Sequence, residues 1–431
     1  MRVAIPLSDV DVTPTSGGAY TWTAALLAAL SDATGNEFRH DPLLIGSDPA
    51  RLRQLASASK VAVVELRSAV PPAVLVQDLQ RARRLARRFA TEVHRRVPGR
   101  EAGGPALVTQ EDGPPGSLEA LVKANSIDVV WDATPNYVSL TCPYVATVWD
   151  LAHRMQPIFP EVGNPVVFAS REQMYKSHLQ RASVVVAGSE RCKEEVSFFY
   201  QIPPERIEVI PFPTPSFALD DDLEDPKEHL LDLGIRTPYF IYPAQYWPHK
   251  NHVNLLLALD AIGRERGLRP GLVLVGSDRN SQQAYVQRWV EKLRLQDQVR
   301  MLGFVPTASL VALYRGAIAL PYVGFFGPDN LPPLEAFALG CPVIASDIPG
   351  ARAQYGDAAL YVDPTDVDGL AAAMAAMCES RELRDSHMAR GLTRAGEWSA
   401  TDYVRRVSEM LDRLEAIRRC WPPIGDERHA G

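Results

Sequence analysis

The stretch Phe326-Gly327-Pro328-Asp329-Asn330-Leu331-Pro332-Pro333-Leu334-Glu335-Ala336-Phe337-Ala338-Leu339-Gly340-Cys341-Pro342-Val343-Ile344 decides how this chain is read. A loop rich in glycine and proline leads into a short helix, and Val343-Ile344-Ala345 then reads as a strand. Glu335 falls on an otherwise apolar helix face. A carboxylate buried there must find hydrogen-bond donors to offset its lost hydration. Backbone amides or a nearby arginine would serve, and so would the vicinal hydroxyls of a ribose; the adjoining loop favours the ribose.

Outward from this unit the same alternation repeats. Tyr239-Phe240-Ile241-Tyr242, Leu272-Val273-Leu274-Val275, Val299-Arg300-Met301-Leu302 and Ile318-Ala319-Leu320 are short apolar runs, each followed by a helical segment. Towards the N-terminus lie Val3-Ala4-Ile5-Pro6, Val61-Ala62-Val63-Val64, Val129-Val130-Trp131, Tyr144-Val145-Ala146-Thr147-Val148 and Val184-Val185-Val186. Short apolar strands separated by helices make parallel sheets covered on both faces. Between the two sets, Ile207-Glu208-Val209-Ile210 meets Pro211 and Pro213, and Asp220, Asp221, Asp222, Glu224 and Asp225 follow, which marks a boundary. A chain of 431 residues is too long for one ordinary core and suits two. The sequence therefore predicts an α/β protein with two Rossmann-like doubly wound domains facing a cleft. Their expected extents are 1–212 and 213–398. Residues 399–431 form a helix crossing back to the first domain, plus a tail, with Tyr403, Val404, Val407, Met410, Leu411 and Leu414 at helical spacing.

Composition excludes several classes. At 46% hydrophobic and 23% charged residues, with a net charge of -7, the chain is neither disorder-prone nor biased towards nucleic acid. No apolar run approaches the roughly 20 residues that span a bilayer, and no secretory leader is evident, so the reading is cytoplasmic. The five cysteines are scattered without a C-x-x-C, which suggests buried free thiols rather than a disulfide framework or a zinc site. Asp220-Asp221-Asp222 offers an Asp-x-Asp spacing suited to a divalent cation, but in a linker it reads as solvated acid, so no metal is expected.

Two further segments fall where strands give way to helices. Ser16-Gly17-Gly18 follows the first strand, and its amides suit either an anionic phosphate or simply a tight turn. Ala244-Gln245-Tyr246-Trp247-Pro248-His249-Lys250-Asn251-His252 follows the first strand of the second domain. That position delivers Lys250 to the carboxyl edge of the sheet, where doubly wound folds bind ligands. Its functional reading is a point charge on a phosphate, and its bland one a solvated lysine beside an aromatic loop.

The run Leu331-Pro332-Pro333-Leu334-Glu335-Ala336, continued by Ala338, Gly340 and Pro342-Val343-Ile344, resembles the signature of retaining family 4 glycosyltransferases of the GT-B fold. His249-Lys250-Asn251, Val275-Gly276, Leu302-Gly303-Phe304-Val305, Ser346-Asp347-Ile348-Pro349 and Ala358-Ala359-Leu360-Tyr361-Val362-Asp363-Pro364 resemble the family's other landmarks in order. The resemblance implies that Glu335 holds the ribose of a nucleotide-sugar donor and that Lys250 neutralises its diphosphate. Amides near Asn330 and Leu331 would contact phosphate or sugar, Gly17 and Gly18 would face the diphosphate from the other domain, and Gly303 and Phe304 would edge the base. It also implies retaining transfer of a hexose to a saccharide or lipid-linked acceptor, with no metal or other cofactor.

Three positions depart from that pattern. The family's first glutamate of this loop falls at Gly327, which leaves its contact to Asp329 or Asn330. The usual cationic partner of the lysine falls at Gln245, a weaker phosphate ligand. The histidine expected after the first-domain strand is Trp149, which leaves its part to Asp150 or His153. A sugar-nucleotide epimerase and a non-catalytic sugar-nucleotide-binding protein on the same fold are the alternatives. Finally, apolar residues from Leu75 to Val97 recur at helical spacing among seven arginines. We read this as a packed surface helix, the alternative being peripheral contact with anionic lipid near a lipid-linked acceptor.

Overall fold

The computed structural model describes residues 1–9, 11–13, 18–34, 37–56, 61–66, 117–135, 141–219, 226–235, 238–278, 282–327 and 329–422. The first lobe is built on a seven-stranded sheet, β1 (Arg2–Pro6), β2 (Asp41–Gly46), β3 (Ala62–Glu65), β4 (Val129–Asp132), β5 (Tyr144–Val148), β6 (Val184–Ala187) and β7 (Ile207–Val209). Every pairing is parallel, in the order β3-β2-β1-β4-β5-β6-β7. The pleat sorts side chains between two cores. Val3, Ile5, Val129, Trp131 and Val145 enter one, while Ala4, Val130, Ala146 and Val185 enter the other. The central strands β4 and β5 are buried at every residue, which is why they read as unbroken apolar runs, while the edge strand β3 is partly exposed.

The second lobe contributes β8 (Tyr239–Pro243), β9 (Gly271–Val275), β10 (Val299–Gly303), β11 (Leu320–Tyr322), β12 (Val343–Ser346) and β13 (Ala359–Val362), in two parallel groups, β10-β9-β8 and β11-β12-β13. The groups adjoin along β8. Ile241 N–H donates to Ala319 O at 3.2 Å and Ile318 N–H to Tyr239 O at 2.7 Å. The spatial order β10-β9-β8-β11-β12-β13 is the 3-2-1-4-5-6 order of a dinucleotide-binding sheet, whose direction of winding reverses between β8 and β11. In sheets of this order ligands bind in the crevice at the carboxyl ends of these two strands.

The helix Ala400–Arg418 returns to the first lobe. Ser399 and Asp402 cap it reciprocally. Tyr403, Val404, Val407, Met410 and Leu411 join the core that contains Trp22 and Leu26, with the Tyr403 ring edge-on to Trp22 at 4.7 Å. Burying each large apolar side chain contributes about 1.5–3 kcal/mol. Trp398 Nε1 donates to Pro211 O at 2.9 Å and Thr214 Oγ1 to Ala395 O at 3.1 Å, tying the crossing point to the end of the first lobe.

Cys142, Cys192 and Cys341 are buried free thiols, but Cys378, in the last turn of the helix Val367–Glu379, is half-buried, and Cys420, beyond the end of the helix Ala400–Arg418, is exposed. The arginine-rich segment 75–97 and the acidic residues 220–222 lie outside the described residues. Among the described residues no helix is long and apolar enough to cross a membrane.

Candidate functional site

Two loops border the crevice of the second lobe. The first, after β8, ends in the 3-10 turn Pro248–Lys250 and then Asn251, whose φ of 60° is left-handed. Asparagine tolerates that conformation. Its side chain donates to Val323 O at 2.9 Å and to Pro364 O at 2.8 Å, which ties the lysine turn to the exits of β11 and β13. From below, Tyr242 Oη donates to the carbonyl of Lys250.

The second loop follows β11 and leads into the helix Leu331–Ala338. Lys250 Nζ donates to Tyr322 Oη at 2.8 Å and reaches Asn330 Oδ1 at 3.4 Å, while Tyr322 Oη donates to the same Asn330 oxygen at 3.0 Å. Among the described residues no carboxylate contacts this ammonium. Burial pulls Lys250 down to about 8 against the more distant charges of Asp150 and Glu161. Asn330 is fixed in turn by Gln354, whose Oε1 accepts the Asn330 amide at 3.3 Å and whose Nε2 donates to its carbonyl at 3.2 Å.

Gly327 has φ 142°, and a Cβ there would stand 2.4 Å from the Asn330 side-chain amide. The loop thus folds in a way that only glycine permits at this position. Asp329 and Asn330 diverge. Asn330 faces Lys250, whereas Asp329 packs against Gly188 of the first lobe, where a Cβ would lie 2.2 Å from its Oδ2. That oxygen is buried with no hydrogen-bond partner among the described residues, and burial, with the nearby charge of Glu195, raises the Asp329 carboxyl to about 7.

Glu335 is only 5% exposed. Its Oε2 accepts from Tyr314 Oη at 2.7 Å, and Oε1 has no donor among the described residues. Burial lifts the carboxyl to about 7, with the Tyr314 hydrogen bond opposing. The Leu331 amide precedes any carbonyl of its own helix, and the next two residues are prolines without N–H, so the donors at this helix start are few. Gln245 is engaged at both ends, donating to Ser277 Oγ at 3.2 Å and accepting from Trp247 Nε1 at 2.7 Å. Gly303, with φ 68°, and Phe304, 51% exposed, end β10 on the same sheet edge.

In the first lobe, Gly18 opens the helix Gly18–Ala33 with open space about its Cα, while Gly17 lies outside the described residues. Asp150 pairs with Arg171 at 2.6 Å and accepts from the Ala152 amide at 2.8 Å. Burial alone would raise its carboxyl, and Arg171 and that amide bring it below the usual range. His153 is enclosed instead. Its Nε2 lies 2.9 Å from Glu172 Oε1 and 3.1 Å from Tyr200 Oη, and its ring stacks on Tyr175 at 5.6 Å. Burial lowers its pKa, consistent with a neutral imidazole in a packed network. The fold thus gathers Lys250, Asn330, Leu331, Glu335, Gln245, Gly303 and Phe304 at one sheet edge. Asp150 faces them electrostatically, Asp329 crosses to the other lobe, and His153 stands apart.

Sequence reading missed Tyr314, Tyr322, Gln354, Glu161 and Arg171. Among the described residues, His40, Asp412 and Glu415 form a group with metal-ligand geometry. It lies between the C-terminal helix and the first lobe, where the N-terminal ammonium and Arg39 already pair with its two carboxylates.

Residues 230–391, within the second lobe, match the family described as glycosyl transferases group 1. The two-lobed whole has the GT-B fold. Its likeness to HepE of Anabaena in complex with UDP-glucose has a TM-score of 0.65 at 15% identity, covering 96% of this chain and 100% of that one. Sucrose-phosphate synthase of Thermosynechococcus elongatus aligns with a TM-score of 0.66 at 16% identity, over 96% and 99% of the two chains. Among curated relatives, O-antigen chain mannosyltransferase B of Escherichia coli is 29% identical over 53% of this chain and 60% of its own length. O-antigen chain mannosyltransferase RfbU of Salmonella typhimurium is 29% identical over 45% and 50%. The chain thus matches between half and three fifths of the length of these relatives.

Proposed function

We propose that this protein is a retaining glycosyltransferase that moves a hexose from a nucleotide-diphosphate sugar to a saccharide or lipid-linked acceptor in glycan assembly, without a metal ion. The observation that carries this reading is the half-buried Lys250 ammonium, held by Tyr322 and Asn330 at the β8/β11 switch point with no carboxylate in contact among the described residues. Glu335, with one oxygen lacking a donor among the described residues, suits a ribose diol. The two mannosyltransferase relatives favour mannose as the hexose.

In this reading Lys250 and the Leu331 amide stabilise the negative charge that develops on the departing diphosphate. The acceptor hydroxyl attacks the anomeric carbon on the face the diphosphate leaves, and its proton passes to the departing phosphate oxygen. Asp150, held ionised by Arg171, faces the positive charge that develops on the sugar ring. The epimerase alternative requires an acid/base pair between the lobes, and the enclosure of His153 by Glu172 and Tyr200 weighs against it.

Nucleotide release separates the readings. A transferase frees nucleotide diphosphate from the donor when acceptor or water is present, an epimerase interconverts the intact donor, and a binding protein does neither. Addition of EDTA leaves the rate unchanged if the reading is right, and a rate restored only by a divalent cation would overturn its metal-independent part.

A further inference from the structure

We propose that Glu161 of the first lobe is a positioning residue for Lys250 of the second, so that closure of the lobes sets the phosphate-binding cation in place. This inference rests on the donor-site reading above and deepens it. Glu161 lies in the short helix Pro160–Gly163. Its Oε1 accepts two hydrogen bonds across the cleft, from the His249 amide at 3.1 Å and from His249 Nδ1 at 2.6 Å. His249 is the middle residue of the turn that presents Lys250.

The same segment holds the neighbouring loop. The Phe159 ring lies 6.1 Å from that of His249 and 5.7 Å from that of Phe325, and Phe325 N–H donates to His249 O at 2.8 Å. One piece of the first lobe therefore grips both loops that border the crevice. The segment is itself tightly turned: Gly163 N–H donates to Phe159 O at 2.7 Å, and a Cβ on Gly163 would meet Pro157 O at 1.8 Å.

Electrostatics runs the same way. Burial alone would raise the Glu161 carboxyl, but the hydrogen bonds from His249 bring it below its ordinary range, so it is an anion at neutral pH. Burial lowers the His249 imidazole, with Lys250 lowering it further and Glu161 and Asp150 opposing, so His249 is neutral and donates through Nδ1. Asp150 and Glu161, both from the first lobe, are the two carboxylates that support the Lys250 charge against its burial. Separation of the lobes would remove both anions and release the turn.

The test compares full-length wild type with Glu161→Ala and Glu161→Gln. Competitive acetylation of Lys250 across pH, read by mass spectrometry on the ligand-free protein, reports its titration. Amide hydrogen exchange at His249 and Lys250 reports the turn, and binding of UDP, GDP and ADP reports the site. Both variants are expected to move the Lys250 midpoint to lower pH. Glu161→Ala is expected to speed exchange of the His249 amide at least tenfold and weaken nucleotide binding several-fold. Glu161→Gln keeps an acceptor oxygen and is expected to restore most of the protection and affinity, but not the midpoint. A Lys250 titration unchanged in both variants, or an unchanged His249 amide in Glu161→Ala, would overturn the inference. If wild type binds none of these nucleotides the donor-site reading fails by itself, while the acetylation and exchange measurements still decide the role of Glu161.

Discussion

Tyr314 donates its phenolic hydrogen to Glu335 Oε2 across 2.7 Å, leaving a buried carboxylate with one satisfied oxygen and one without a donor among the described residues. This asymmetry is what the proposed donor site uses. A hydrogen bond to a charged group is worth about 1.5–3 kcal/mol, so loss of the Glu335 carboxylate should weaken nucleotide-sugar binding by roughly ten- to a hundredfold. Glu335→Ala is the variant, titration calorimetry the measurement, and a circular dichroism spectrum like that of wild type the control. A folded variant with unaltered affinity would remove Glu335 from the site.

The same burial sets a stability signature. Glu335 is raised from 4.5 to about 7, so ionising it costs the folded state more than the unfolded one. The penalty is absent below 4.5, grows as pH rises through that range, and is complete above 7. Glu335→Gln should therefore melt progressively higher than wild type from pH 5 to pH 8. A melting difference that does not change with pH would show that the carboxyl titrates normally.

Nucleotide affinity should pass through a maximum between the two site groups. Below about 7 Glu335 gains a proton and loses acceptor capacity. Above about 8 Lys250 loses its charge. The expected profile of diphosphate binding against pH is a narrow bell centred between 7 and 8, with the alkaline limb absent in Lys250→Met. An affinity flat from pH 6 to pH 9 would contradict both assignments.

Gly188 and Asp329 form a contact between lobes that admits no side chain. Gly188→Ala should hold the lobes apart, weakening nucleotide binding several-fold while sugar transfer falls by a larger factor, at least tenfold. Removing the opposing carboxylate in Gly188→Ala with Asp329→Ala should restore room and part of the rate, unless Asp329 itself touches sugar. Assays of donor binding and product formation on the three variants distinguish these cases. Full transfer by Gly188→Ala would show that this contact is dispensable.

What the sequence made legible follows from what is local in it. Alternating apolar runs and glycine turns pointed to the two sheets, because the central strands, such as β1, β4, β5 and β9, are buried along nearly their whole length. Lys250 and Glu335 stood out because a cation at a strand exit and an acid on an apolar helix are anomalies visible within a few residues. Their supports were not visible: Tyr314 meets Glu335 from 21 residues away, and Gln354 meets Asn330 from 24. Those partners depend on how helices seat on the sheet. Asp329 and Asn330 were interchangeable on paper, and only the positive φ at Gly327 turns one towards the first lobe and the other towards Lys250. Asp150 and His153 sit three residues apart. The turn Ala152–Met155 between strand and helix carries one towards the cleft and the other into a packed aromatic network.

The most direct test of the central claim is calorimetric titration of wild type and Lys250→Ala with UDP, GDP and ADP at pH 7.5. The account predicts that wild type binds at least one of them and that Lys250→Ala, folded to the same extent, binds it at least tenfold more weakly. Equal affinity in the two proteins, or no binding by wild type, would contradict a diphosphate site at the β8/β11 crevice.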